Sequence, residues 1–255
     1  MIEKYIDNLL SKLELSDEFL GILLYGSYVL NNVDEFSDFD VLIVVENEYR
    51  KICGRGNYII NGKSIEFFIK TEDDIYKELN DELEDLEPAT RNAFLTGKII
   101  VDYFNVMSRI KERAKEICYM PFKRLNRMEK EAIIINTRNG LKEIERKNKY
   151  DDKDYKFSYF NFLYDLIKSY CDNEGIPIRK YKFYKTYTDE DYMIKNLFVN
   201  IEDEYIKTEF VFLIEKVDFT RLKALTEYIL DKIYNLPMEY RIYRNKDEYF
   251  FTNSI

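Results

Sequence analysis

The sequence predicts an α+β protein in which a small mixed β-sheet domain precedes an α-helical bundle domain. Short apolar runs rich in β-branched residues, separated by turn signals, occupy roughly the first 105 residues. Long stretches of helical periodicity then dominate towards the C-terminus. We therefore expect two domains, residues 1–105 and 106–255, and a chain of 255 residues is long enough to hold both.

In the first domain, apolar residues recur at helical spacing over 2–13, which predicts an opening amphipathic helix. Asn61-Gly62 predicts a tight hairpin turn, because this pair readily adopts the positive φ angles of such turns. Thr71 is placed to cap a helix over 72–83, and Pro88 and Gly97 bound another short helix. Strands are expected at 20–25, 40–45, 57–60, 64–70 and 99–103.

In the second domain, the basic and aromatic segment 179–188 is interpreted as a surface loop, with contact of residues 179–185 to a triphosphate or an RNA acceptor as the alternative. The tail 237–255 fits either strand or loop. Helices are expected at about 108–119, 123–147, 154–172, 189–200, 203–216 and 218–235.

Composition excludes several classes of function. The net charge is -9, which disfavours extended binding to nucleic acid. The chain has no histidine, so His-based nucleophile activation and His zinc sites are excluded. Three dispersed cysteines favour free thiols in a reducing compartment. No signal peptide and no apolar run of about 18 residues is present, so we expect a cytoplasmic protein without membrane contact.

The segment GSYVLNNVDEFSDFDVLIVV, residues 26–45, carries the chemistry. A strand ends at Gly26-Ser27, where glycine permits close approach of a phosphate and Ser27 can donate hydrogen bonds to it. A short helix is expected to begin just after this pair and to favour an anion at its N-terminus. Asp38 and Asp40 are two residues apart at the start of the next strand, so both carboxylates face the same side. Adjacent carboxylates repel unless a cation lies between them, which indicates a divalent metal.

Glu66 offers a third carboxylate on a strand whose other face is apolar. If this strand pairs beside Asp38 and Asp40, the three acids converge, and two metal ions about 4 Å apart could be held for phosphoryl or nucleotidyl transfer. Gly62-Lys63-Ser64 is not a P-loop, because that motif needs a glycine where Asn57 stands.

With these residues the sequence resembles the DNA polymerase β-like nucleotidyltransferase superfamily. It is most similar to small bacterial members, the minimal nucleotidyltransferases and the aminoglycoside and lincosamide resistance enzymes. The resemblance covers residues 20–70, with a looser match at 91–103. Where minimal members usually carry a basic and a small residue after the Gly-Ser pair, this chain has Leu30 and Asn31.

The resemblance implies a polymerase β-like palm domain and transfer of a nucleoside monophosphate from an NTP, ATP being expected, with release of pyrophosphate. It implies that Asp38, Asp40 and Glu66 are catalytic and bind two Mg²⁺ ions, or Mn²⁺, and that Gly26 and Ser27 contact the nucleotide. The expected acceptor is a hydroxyl of a small molecule, such as an aminoglycoside or lincosamide antibiotic.

Several alternatives stay open at this stage. The acceptor could instead be a protein or a tRNA in a toxin–antitoxin pair, or the fold could serve as a non-catalytic nucleotide sensor. A homodimer is compatible with the sequence. A further general base could come from Glu129, Glu131, Glu143 or Glu145, although a solvated helix face is the simpler interpretation of these acids. The acidic run 72–87 is also read as a solvated face, with recruitment of a cationic acceptor as the alternative.

Overall fold

The computed structural model describes residues 2–15, 18–83, 88–118, 120, 125–178 and 182–233, together with the strands 240–245 and 248–253. The chain divides into two compact units. One comprises Met1–Lys123 and Asp191–Phe198, and the other comprises Arg124–Glu190 and Val199–Ile255. The predicted division at residue 105 stays a prediction.

The first unit is built on a five-stranded mixed sheet with the order β3-β4-β2-β1-β5. The pairing of β2 with β4 is parallel, whereas the other three pairings are antiparallel. This confirms the mixed sheet that the sequence predicts. The strands are β1 Phe19–Tyr25, β2 Phe39–Val45, β3 Gly54–Ile60, β4 Lys63–Thr71 and β5 Lys98–Asp102.

Helices cover both faces of this sheet, because its strands are apolar on both sides. Helix α1 (Ile2–Leu13) packs through Ile6 and Leu9 against one face. Helices α2 (Glu72–Asp81), α3 (Ala89–Thr96) and α4 (Val106–Cys118) cover the other face around Leu23, Leu42 and Val44. The site described below lies at one end of this sheet.

Local sequence signals position these elements as expected. Thr71 caps α2, since its hydroxyl accepts a hydrogen bond from the Asp74 N–H at 3.2 Å. Asn61 and Gly62 have φ angles of 50° and 77°, as a tight hairpin turn between β3 and β4 requires. The hairpin turn therefore fixes the register of β3 against β4, in which Asn57 lies opposite Glu66.

The second unit is helical, which confirms the predicted bundle. Its core joins Leu163, Ile167, Phe210 and Leu222, all almost fully buried. Its helices are α5 Arg127–Lys149, α6 Tyr155–Glu174, α7 Phe183–Thr188, α9 Glu204–Glu215 and α10 Phe219–Ile233. Helix α8 (Glu190–Lys195) belongs to the first unit from Asp191 onwards.

Two expectations for this region need correction. The single helix expected at 189–200 is the short α8, which ends at Lys195. Part of the segment read as a loop is helix α7, because Phe183 and Tyr187 are four residues apart and both are buried. The tail forms two paired strands, β6 Tyr240–Asn245 and β7 Glu248–Asn253. Among the described residues, no helix combines the length and apolarity needed to cross a membrane.

Candidate active site

Three acidic side chains converge at the start of β2. The parallel register places Asp40 directly beside Glu66 on β4, and Asp38 lies two residues before Asp40. One carboxylate oxygen from each residue lies within 4.8 Å of the corresponding oxygens of the other two. All three side chains are half-buried. The sequence predicts that the three acids converge if the strand of Glu66 pairs beside Asp38 and Asp40, and the structure shows this pairing.

Strand alternation explains why the acids share a face. The residues between and beside them point into the core on the other side of the sheet, where Phe39 and Phe67 are 8% exposed and Ile65 only 1%. Because neighbouring side chains on a strand point to opposite faces, burying these three apolar groups directs Asp40 and Glu66 to the other face. The apolar pattern thus fixes the orientation of the acids.

Gly26 brings the end of β1 against this cluster. Its φ of +76° lies in the left-handed region, and a Cβ built on it would lie 1.8 Å from Oδ2 of Asp40. Any other residue here would displace the Asp40 carboxylate or the turn. Glycine therefore allows the backbone to pass directly beside an acid of the cluster.

The backbone after Gly26 forms a compact turn instead of the expected short helix. The N–H groups of Val29 and Leu30 both donate to the Gly26 carbonyl at 3.2 Å, and Asn32 N–H donates to the Ser27 carbonyl at 3.0 Å. Asn31 then adopts a φ of 52°, which ends the helical course. Ser27 lies at the start of this turn, one residue beyond the glycine that touches Asp40.

A second hydrogen-bonded turn leads from there into Asp38. The Asp34 carboxylate accepts from the Phe36 N–H at 3.0 Å and from the Ser37 hydroxyl at 2.9 Å. The Ser37 hydroxyl oxygen in turn accepts from the Asp34 N–H at 2.8 Å. These bonds order the residues immediately before Asp38, while the Phe36 side chain extends into solvent with 85% exposure.

The donor set of the cluster suits a hard divalent cation. Three carboxylates can supply oxygen ligands of the kind that Mg²⁺ and Mn²⁺ prefer. Their mutual repulsion also makes a cation between them favourable. The close approach of Gly26 adds backbone groups at the same place, where an anionic group attached to such a cation could be held.

The acids considered as a further general base have other contacts. Glu129 forms a capping box with Asn126 at the start of α5. The Arg146 guanidinium donates to both oxygens of Glu143 and lowers the pKa of that carboxyl. Glu131 departs from the solvated-face interpretation, because it is only 4% exposed and accepts from Arg127 at 3.0 Å. Glu145 is exposed on the same helix.

The acidic run 72–87 is largely engaged in structural contacts where it is described. Glu72 pairs with Arg109 at 3.1 Å, Asp74 pairs with Arg50 at 3.0 Å, and Asp73 accepts from Asn47 at 2.7 Å. These partners favour a role in fixing α2 to α4 and to residues 47–52. Residues 84–87 of this run and residues 179–181 of the basic and aromatic segment lie outside the described part of the chain.

Two of the comparisons with known proteins found a match. Residues 5–138 match the model of a family described as a nucleotidyltransferase domain. Among solved structures, the chain is similar to a nucleotidyltransferase-like protein from Exiguobacterium sibiricum 255-15, with a TM-score of 0.48 and 10% identity over 91% of this chain and 75% of that one. No curated protein matches the sequence. Residues 5–138, which the family model matches, include the whole of the acidic cluster and the Gly26–Ser27 turn.

Proposed function

Because the chain belongs to the nucleotidyltransferase domain family, whose model matches residues 5–138, we propose that it transfers a nucleoside monophosphate, AMP, from an NTP to a hydroxyl of a small-molecule acceptor. The observation that carries this proposal is the convergence of Asp38, Asp40 and Glu66 within 4.8 Å beside the Gly26 turn. Nucleotidyl transfer needs such an anionic pocket for metal next to a place for phosphates.

In this proposal Asp38, Asp40 and Glu66 hold Mg²⁺ or Mn²⁺. The bound metal neutralises phosphate charge and lowers the pKa of the acceptor hydroxyl. The missing side chain of Gly26 leaves room for the Asp40 carboxylate. Ser27, the next residue, donates hydrogen bonds to the triphosphate from its hydroxyl and N–H. In the same proposal Glu66, on the neighbouring strand, receives the proton of the acceptor hydroxyl.

The reaction then balances as a single displacement at the α-phosphate. The acceptor oxygen forms a bond to the α-phosphorus, the bond from that phosphorus to the bridging oxygen of the β-phosphate breaks, and pyrophosphate leaves. The acceptor proton passes to Glu66 and then to solvent. Catalysis rests on positioning and on neutralising charge, since no covalent enzyme intermediate is required.

The charge of the chain supports a small acceptor. A net charge of -9 repels nucleic acid, attracts cations and does not repel neutral molecules, which favours an aminoglycoside or a lincosamide over tRNA. In the acidic run 72–87, Glu72 and Asp74 already form ion pairs within the protein. These two acids therefore contribute less to attracting a cationic acceptor than their charge alone would indicate.

The proposal is tested by supplying each of the four NTPs with a radiolabelled α-phosphate. Aminoglycosides, lincosamides, bulk tRNA and a protein extract serve as separate acceptors. We expect Mg²⁺-dependent labelling of a small-molecule acceptor by the wild type and none by the Asp38→Ala/Asp40→Ala variant. Labelling of tRNA or protein would show that the acceptor belongs to that class and is not a small molecule. Tight NTP binding without labelling of any class would refute transfer and support a nucleotide sensor.

A further inference from the structure

An aromatic cluster lies under the Gly26–Ser27 turn, on the face of the sheet opposite the acids. The ring centroids of Tyr28 and Phe39 are 4.0 Å apart, and those of Phe39 and Tyr5 of helix α1 are 5.3 Å apart. Phe39 is 8% exposed, so this contact lies at the edge of the core. We call Tyr5, Tyr28 and Phe39 the aromatic clamp.

The clamp and the acidic cluster share one short piece of β2. Phe39 lies between Asp38 and Asp40 in sequence, and its side chain points to the opposite face. The turn therefore contacts β2 on both faces of the sheet. Gly26 lies against Asp40 on one face, and Tyr28 packs against Phe39 on the other. Since Ser27 lies between Gly26 and Tyr28, both of its neighbours are fixed to the strand that carries the acids.

The hairpin also reaches this turn. The Lys63 ammonium at the start of β4 lies 5.8 Å from the centroid of the Tyr28 ring. The neighbouring Tyr28 hydroxyl raises the pKa of Lys63. Lys63 is three residues before Glu66 on the same strand, so Tyr28 contacts both strands that supply the acids. Cation–aromatic contacts of this kind are modest at exposed sites, so the ring packing is the larger contribution.

We propose that Tyr28 is a positioning residue that holds the Gly26–Ser27 turn at a fixed distance from Asp38, Asp40 and Glu66. It acts through Phe39 and Lys63 and does not itself touch the nucleotide. The effect of Tyr28 on catalysis rests on the proposed function, whereas its effect on the order of the turn does not. Sequence reasoning overlooks Tyr28, because nothing in the pattern around the Gly-Ser pair indicates which way its ring points.

The chain contains a matched control. Tyr58 of β3 packs against Phe67 with centroids 5.6 Å apart, and the Lys12 ammonium lies 5.5 Å from the Tyr58 ring. Tyr58 is half-buried, as Tyr28 is, and both rings pack on the same face of the sheet. The two sites therefore offer the same kind of packing, but only Tyr28 is linked to the Gly26–Ser27 turn.

The experiment compares wild type, Tyr28→Leu, Tyr28→Phe and Tyr58→Leu as full-length chains. Hydrogen exchange is measured for the turn amides of Val29, Leu30 and Asn32. Because an aromatic pair adds about 1 kcal/mol, we expect Tyr28→Leu to speed this exchange about fivefold. Tyr28→Phe keeps the ring, and Tyr58→Leu leaves the turn untouched, so both should change the exchange less than about threefold.

Dissociation constants are then measured for Mg²⁺ complexes of non-hydrolysable analogues of ATP, GTP, CTP and UTP. Tyr28→Leu should weaken binding of the preferred analogue about tenfold, and Tyr58→Leu should not, even if both variants lose similar thermal stability. Equal exchange in Tyr28→Leu and Tyr58→Leu would overturn the proposal, as would faster exchange with unchanged nucleotide affinity. If the wild type binds none of the four analogues, the proposed function fails, and the exchange data still decide whether Tyr28 orders the turn.

Discussion

Replacing Gly26 with alanine should disable the site through one identifiable collision. Gly26 has a φ of +76°, and its Cβ would lie 1.8 Å from Oδ2 and 2.8 Å from Cγ of Asp40. Real Cβ atoms essentially never approach a non-bonded heavy atom closer than 3.0 Å. The Asp40 carboxylate or the turn must therefore move by more than about 1 Å, a misplacement that can reduce the rate of an enzyme about a hundredfold.

Gly62→Ala is the matched control for this change. Gly62 has a φ of +77°, but a Cβ built on it has no atom within 4 Å. Both alanines occupy the left-handed region at about 1 to 2 kcal/mol, which lowers the melting temperature of a chain of this size by roughly 2 to 8 °C. The backbone penalty is thus shared, whereas the collision with Asp40 occurs only at Gly26.

The assay combines calorimetry with the rate of Mg²⁺-dependent nucleotidyl transfer. We expect both variants to melt lower than the wild type, Gly26→Ala to lose about a hundredfold in transfer rate, and Gly62→Ala to stay within about twofold of wild type. Equal activity of the two variants would refute the reasoning, as would a structure of Gly26→Ala with Asp40 unmoved.

Three further predictions concern single residues. Asp40→Asn removes one of three repelling charges, so it should raise the melting temperature of the metal-free protein and reduce transfer at least about a thousandfold; a lower melting temperature would contradict the repulsion. Burial raises the pKa of Glu82 above its ordinary 4.5, so the folded protein keeps a proton that the unfolded chain loses, and stability should decline as the pH rises from about 4.5 through the raised pKa. Urea unfolding at several pH values should show this slope reduced in Glu82→Gln, and an unchanged slope would assign it to other groups. Burial raises the pKa of Cys171 to about 12, whereas Cys118 is exposed. Iodoacetamide should therefore label Cys118 in the native protein but Cys171 only after unfolding, as read by mass spectrometry.

The acids of the site were predictable because their arrangement follows from short-range rules. The i and i+2 positions of Asp38 and Asp40 on one strand fix a common face. The apolar residues around Glu66 fix its face too, and the Asn61-Gly62 turn fixes the hairpin register. Glu66 lies beside Asp40 only because β2 pairs in parallel with β4. The sequence alone did not predict this pairing.

Other features depended on tertiary contacts that no local pattern encodes. Glu131 resembles a solvated helix residue in sequence, yet it is buried beside Arg127. Helix α7 was missed because the basic residues of segment 179–188 suggested a surface loop, whereas Phe183 and Tyr187 pack into the helical core. The sequence predicts a short helix after Ser27, but the chain forms a turn that ends at the positive φ of Asn31. That φ angle is a property of the folded turn, so the local sequence did not reveal it. Propensity is a weak guide wherever packing decides.

The central claim is that Asp38, Asp40 and Glu66 form a metal-dependent nucleotide site. Its most direct test is the melting temperature of the protein with non-hydrolysable ATP, GTP, CTP and UTP analogues, each with and without Mg²⁺, in wild type and Asp38→Ala/Asp40→Ala. Because a ligand that binds only the folded state raises the melting temperature, we predict that at least one nucleotide stabilises the wild type, only when Mg²⁺ is present, and that the double variant loses this effect. Stabilisation that persists without Mg²⁺ or in the double variant would contradict the claim, as would its absence with all four nucleotides.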